Sequence, residues 1–401
     1  MKHRLFSFIA LLLIVCLFTA CRGNSVSETE QAVTEDNPIV ATVNGEPVYY
    51  SAFAEKMVSI EAMYSAMSGT MSADELNQKL TEQANSVLDT FIAQLILEQK
   101  AEELGITLTD EQEAAVAAAW TDTQEQFRKT VSANYPTFTG EDLDAMVLLA
   151  LQSSGLTEEM VTQSAKTSAL IANLRAQIDA QVSPVSDSEV RETYQALLQQ
   201  QQTEFANDIT AFESAMLGNA VVVYIPTAHR VIHEWELRYE NDVIALLNQL
   251  KQIDTEESTA YEDTLAAEQS RTQAQLEKVR SEIADGADFD ALYAEKNDGA
   301  APHINYIGAE STRFSEEYYA AAMNINAEGS LAKKFVATNN GYMLLYWGST
   351  LEPGVVPFET VCEQLSEQLQ KEKCDENWKA VQAAWREEAE ITIMTDLITY
   401  S

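Results

Sequence analysis

The sequence predicts an α+β protein: a helical domain interrupted by a strand-bearing module that carries a long helical hairpin. Three observations predict it. The 401 residues hold only 14 Gly and 8 Pro, too few for a loop-rich β architecture. Before residue 220 apolar residues recur at helical spacing, and capping signatures mark one start after another. From 220 onward β-branched and aromatic runs replace that period. Hydrophobic content is 46%, as in ordinary folded chains. A chain of this length accommodates two to four domains at roughly 100–200 residues each.

Charge narrows the function classes. Lys and Arg total 25 against 63 Asp and Glu, a net charge of −38. Such a surface repels phosphate backbones, which excludes nucleic acid as a partner. The acidic runs read first as solvated faces, and second as an attraction for basic or unfolded chains. A two-lobed solute-binding protein is also excluded, because strands and helices do not alternate along the chain.

The N-terminus is read apart from the fold. Lys2 and Arg4 precede an apolar run of 14 residues, Leu5 to Phe18, too short for a membrane span and suited to a signal-peptide core. It ends in Leu17-Phe18-Thr19-Ala20-Cys21, which resembles a bacterial lipobox. Residues 1–20 are therefore expected to be a signal segment and Cys21 the lipid-bearing mature N-terminus. Polar, acidic residues 21–37 are expected to form a flexible tether. Cys362 and Cys374 fall in one helical stretch, about 18 Å apart along its axis, too far to bridge each other. No metal or other cofactor is expected. The His (His3, His229, His233, His303) are scattered and no Cys-x-x-Cys occurs.

The helical part, 38–219, opens with IVATVNGEPVYY, alternating apolar and polar about Asn44-Gly45, a hairpin signal. A helix follows from Ser51. Ser72 and Glu75 form a capping box. Val87, Phe91, Leu95 and Ile96 share one stripe, and Gly105 stops that helix. Thr109 and Gln112 start another, which ends before Tyr135-Pro136. Further helices are expected at 141–152, 157–180 and 187–216, the last behind the capping box of Ser186 and Glu189. Met57, Met63, Met67, Met71, Met146 and Met160 are either helix–helix core or the lining of a cradle for unfolded chain, since Met adapts to varied partners.

The module, 220–350, begins with two strand runs, AVVVYIP and HRVIHEWEL. Residues 240–284 read as a projecting helical hairpin that can serve as client arm, homodimer contact or spacer. A short helix follows in ADFDALYAE, then turns at Asp298-Gly299 and Asn340-Gly341, then the strand YMLLYW. Residues 351–401 break at Glu352-Pro353-Gly354 and close with a long helix, 357–389, returning to the helical domain.

Several segments, in order, resemble one family. VATVNGEPVYYSAF and VLDTFIAQLILEQKAEELGITLTDEQ resemble the N-terminal region of SurA-type and PrsA-type extracytoplasmic foldases. VSPVSDSEVRETY resembles the linker before their isomerase domain. YIPTAHRVIHEWEL, GADFDALYAEKNDG, STRFSEEYYAAAMNINAEGS and NNGYMLLYW resemble a parvulin-type peptidyl-prolyl isomerase domain in its lipoprotein form. The resemblance implies a SurA-N-like chaperone domain with an inserted parvulin-like α/β domain. It also implies a membrane-anchored protein outside the bacterial cytoplasm, whose clients are unfolded or partly folded exported polypeptides. An X–Pro bond turns over a barrier of ~18–20 kcal/mol without bond cleavage, so a dry apolar pocket is the main requirement and no cofactor is needed.

Carried over residue by residue, His233 matches the first family His and Asp298 the acidic position, the two implied catalytic groups. His229 is the alternative to His233 by a shift of register, and His303 reads as a loop residue. Ile307, Phe314, Tyr318, Met323 and Met343 fall on the substrate-binding positions. Glu234-Trp235 follow His233 where the family has Ile-Leu, and Met343 stands where the family has its second His. The expected function is assistance to folding by prolyl isomerisation, by holding, or by both. The alternative is an inactive parvulin-fold chaperone or adaptor that binds polypeptide without isomerising it.

Overall fold

The computed structural model describes residues 37–67, 71–135, 137–218, 220–253 and 259–400. The expected signal segment, Cys21 and the tether as far as residue 36 lie outside the described residues. The protein is α+β. Its contacts divide it into two compact units, residues 1–183 with 371–401, and residues 184–370.

The first unit starts with the predicted hairpin, β1 (Ile39–Val43) and β2 (Glu46–Tyr49). Asn44 and Gly45 both have positive φ, 52° and 87°, the conformation a two-residue hairpin turn demands and these residue types tolerate. Helices α1 (Tyr50–Met67) and α2 (Ala73–Glu103) follow, α2 behind the full capping box of Ser72 and Glu75. Phe53, Met57, Leu88, Phe91 and Ile92 pack with Val40 and Val43 into one core. Helices α3 (Asp110–Asn134), α4 (Gly140–Ser153) and α5 (Glu158–Asp179) continue the bundle. The chain's last segment adds a strand that the sequence pattern did not reveal. β10 (Ile391–Ile393) pairs antiparallel with β1, Ala41 opposite Ile393. Two short apolar residues about a Thr are too little alternation to announce a strand.

The second unit contains α6 (Asp187–Asn207) and α7 (Ile209–Leu217), expected as one helix. Asp208 breaks it: its Oδ1 accepts from Thr210 N at 2.9 Å and Ala211 N at 3.3 Å, capping α7 in place of continuing α6. The strand run expected from 220 is likewise reduced to β3 (Tyr224–Ile225). The buried Gln201 side chain replaces a strand neighbour there, donating to Val221 O and accepting from Val223 N, both at 2.8 Å.

The central sheet runs in the order β5-β4-β8-β6, all antiparallel, with β7 also on β8. Its strands are β4 (His229–Arg238), β5 (His303–Gly308), β6 (Ser330–Leu331), β7 (Val336–Thr338) and β8 (Gly341–Leu351). The helical hairpin is present as α8 (Asn241–Ile253) and α9 (Ala260–Ala284). It does not simply project. Leu276 and Val279 of α9 are buried against Trp235, Leu344 and Phe289, so the end of α9 is part of the core. With α10 (Phe289–Lys296), α9 covers one face of the sheet. The other face carries α11 (Glu316–Met323). β9 (Gly354–Val355) pairs with β3, and α12 (Phe358–Glu388) follows, its residues from Lys371 onward belonging to the first unit. Val221 and Val223 pack with Val190 of α6 and with Val361 and Leu365 of α12, which is why the compact unit extends past 220–350 on both sides. Among the described residues neither Cys362 nor Cys374 is in a disulfide. Among the described residues no helix is long and apolar enough to cross a membrane.

Candidate functional site

Successive residues of a strand face opposite sides of its sheet. On the α11 side, Ile232, Ile307, Tyr318, Ala322, Ile325, Val336 and Leu345 form a buried cluster, with Phe314, Met323, Met343 and Trp347 half-buried around it. The structure therefore brings together Ile307, Phe314, Tyr318, Met323 and Met343. Ser315 caps α11, its Oγ accepting from Tyr318 N at 3.2 Å, which places Tyr318 in the first turn. The Phe314 ring stacks on Tyr318 with centroids 5.0 Å apart, and the Arg313 guanidinium lies 4.6 Å from the Phe314 centroid. The result is an aromatic and thioether platform, open at its rim.

Beneath the platform lies a carboxylate. Glu234 is only 7% exposed. Its Oε1 accepts from Tyr318 Oη and from Asn305 Nδ2, each at 2.5 Å, and its Oε2 is 2.8 Å from His303 Nδ1. Burial, the Glu234 charge and this hydrogen bond all push the Tyr318 phenol far above the ordinary tyrosine range, so it stays a donor. Arg313 Nη2 donates to Asn305 Oδ1 at 2.6 Å and so joins the set from its edge.

Arg313 leads on to a second polar cluster. Its Nε lies 3.1 Å from Oε2 of the fully buried Glu213 on α7. Ser311 Oγ donates to the other Glu213 oxygen and accepts from Gly308 N at 2.8 Å. His229, also fully buried, presents Nε2 3.7 Å from Glu213 Oε1, while its Nδ1 donates to Thr227 O at 2.7 Å. This cluster clamps α7 to the end of β4 and β5.

His233 and Asp298 do not join the platform. His233 points to the α9–α10 side, its ring edge-on to Phe289 and Tyr346 with centroids 6.0 and 5.8 Å away. Its Nδ1 bonds Asp290 Oδ1 at 2.7 Å. His233 and the apolar set therefore occupy opposite faces of one sheet. Asp298 is an exposed turn residue with φ 53°, followed by Gly299 at φ 82°. Tyr318, the expected substrate-facing ring, is buried, with its hydroxyl tied to Glu234.

A family model for the SurA-like N-terminal domain matches residues 1–138. Over 385 residues the chain is 22% identical to the foldase protein PrsA of Clostridium perfringens, covering 95% of this chain and 93% of that one. The chain is similar to PrsA foldases, and its N-terminal part to the SurA-like N-terminal domain. Among solved structures, it is similar to a SurA-like chaperone of Campylobacter jejuni at 13% identity, over 89% of this chain and 98% of that one, with a TM-score of 0.33. It is also similar to the foldase protein PrsA of Streptococcus pneumoniae at 14% identity, over 82% of this chain and 96% of that one, with a TM-score of 0.30.

Glu234, Trp347, Asn305 and Arg313 are members of the site that sequence reasoning missed, and His303, read as a loop residue, instead opens β5 bonded to Glu234. Glu234 carried a signal: an acid in mid-strand between Ile232 and Trp235 breaks an apolar run and requires partners once buried. Asn305 and Arg313 carried none, because their role depends on β5 lying beside β4.

Proposed function

We propose that this protein is a foldase that holds unfolded or partly folded exported polypeptides outside the cytoplasm, attached to the membrane through lipid on Cys21. The α11 face of the sheet takes apolar client segments, and the helical part, 38–219 with 351–401, contributes chaperone-like surface. The single observation that carries this reading is the half-buried platform of Phe314, Met323, Met343 and Trp347 over the buried Glu234–Tyr318 pair. Apolar side chains that stay half-exposed on a rigid base are suited to varied partners, and Met especially so. The coarser role, assistance to folding, is supported by the PrsA foldase name of the relative that aligns over nearly the whole chain.

Holding is favoured over prolyl isomerisation on two grounds. His233 lies across the sheet from the platform, and Met343 fills the second imidazole position that the family resemblance implies. The test is aggregation of a denatured client with and without the full mature chain, run beside a protease-coupled prolyl assay. Suppression of aggregation with only the uncatalysed prolyl rate supports holding alone. A prolyl rate above background restores the isomerase reading, and absence of both effects overturns the proposal.

A further inference from the structure

Two imidazoles on the central sheet are hydrogen-bonded to carboxylates, and they differ in what their other nitrogen meets. His233, bonded to Asp290, is only 12% exposed in its side chain, and Nε2 lies against the backbone of Gly348. His303, bonded to Glu234, is 65% exposed in its side chain. It stands directly opposite Glu234 in the β4–β5 register, on the same face as Asn305 and Ile307 and therefore on the platform side.

The protonation pattern follows from the inventory of donors. An ionised Glu234 only accepts. Tyr318 Oη and Asn305 Nδ2 already donate to Oε1, so His303 completes the set by presenting Nδ1–H to Oε2. In the neutral ring Nε2 is then a lone pair, and the buried carboxylate makes it a stronger acceptor. Glu234 from β4 and Tyr318 from α11 are the titratable groups facing this imidazole, and Arg313 approaches it through Asn305.

We propose that His303 is the polar contact of the platform: its Nε2 accepts a backbone N–H of an extended apolar client segment, with Glu234 as the positioning residue that sets its tautomer and direction. This rests on the client-holding reading above.

The test is calorimetric titration of the full mature chain with an uncharged, unfolded peptide of Leu, Phe, Ala and Pro. The same peptide, N-methylated along its backbone, is the control. His303→Ala is expected to weaken the plain peptide about five- to tenfold, the worth of one net hydrogen bond, and to leave the N-methylated peptide unchanged. Glu234→Gln is expected to weaken binding in the same direction. Should that variant fail to fold, the exposed His303 substitution carries the test. If wild type binds and His303→Ala matches it in affinity for the plain peptide, the role of His303 is overturned and client holding stands. If wild type fails to bind the plain peptide, client holding itself falls.

Discussion

Gly348 leaves no room for a side chain beside His233: a Cβ at 348 would stand 2.5 Å from the His233 Nε2. The strand β8 passes so closely over the ring that the imidazole is sealed on its own face. His233→Ala is therefore expected to leave client binding unchanged and to lower stability by about 1 kcal/mol, from loss of the bond to Asp290. Gly348→Ala is expected to destabilise by about 1–3 kcal/mol through overpacking. Urea denaturation beside peptide titration checks both, and lost client affinity in folded His233→Ala would return that residue to the binding site.

Gly308 and His229 make a second close pair. A Cβ at 308 would lie 2.8 Å from His229 Nε2, next to the buried Glu213. Gly308→Ala is expected to cost about 1–3 kcal/mol, and shrinking the ring with His229→Ala is expected to relieve part of that cost. A double-mutant cycle on unfolding midpoints reads the coupling. Strict additivity would show that the two positions do not share this space.

Tyr318 makes stability sensitive to alkali. Its phenol is pushed up by burial and by Glu234, so above the ordinary tyrosine value, about 10, the unfolded chain releases a proton that the folded chain keeps. The contribution is complete below about pH 10 and shrinks as pH rises beyond it. Tyr318→Phe is expected to flatten that decline. It also leaves buried Glu234 one donor short, a cost of about 1–3 kcal/mol at neutral pH. Thermal melts from neutral to alkaline pH test this, and identical slopes for the two proteins would refute it.

Asp375 acts at the opposite end of the scale. Lys371, 2.6 Å away, and Arg175 hold its carboxyl down from 3.8 to about 2. A depressed folded value means the contribution is present above the unfolded value and disappears as pH falls from about 3.8 to about 2. Asp375→Asn is expected to lower the melting temperature slightly at neutral pH and to converge with wild type in acid. A constant difference across that window would contradict the assignment.

Much of the fold was legible because it is written locally. The Asn44-Gly45 turn, the capping boxes at Ser72, Thr109 and Ser186, and the stripe through Phe91, Leu95 and Ile96 each lie within a few residues of one another in sequence. Where a distant group intervened, local reading failed. Gln201 took the backbone partners of 221–224, and β10 became a strand only because β1 offered its edge.

The candidate site divides in the same way. The family resemblance picked out Ile307, Phe314, Tyr318, Met323 and Met343, and the structure gathers all five in or around one apolar cluster. Which face each imidazole would take was decided by tertiary structure. One residue of register on β4 separates Ile232 on the α11 side from His233 on the α10 side, and period-two alternation turns that single step into opposite faces of the sheet. The same step carried Glu234 under the platform. There the pairing of β5 with β4 set His303 and Asn305 beside it, a neighbourhood built from residues some seventy positions apart in the chain.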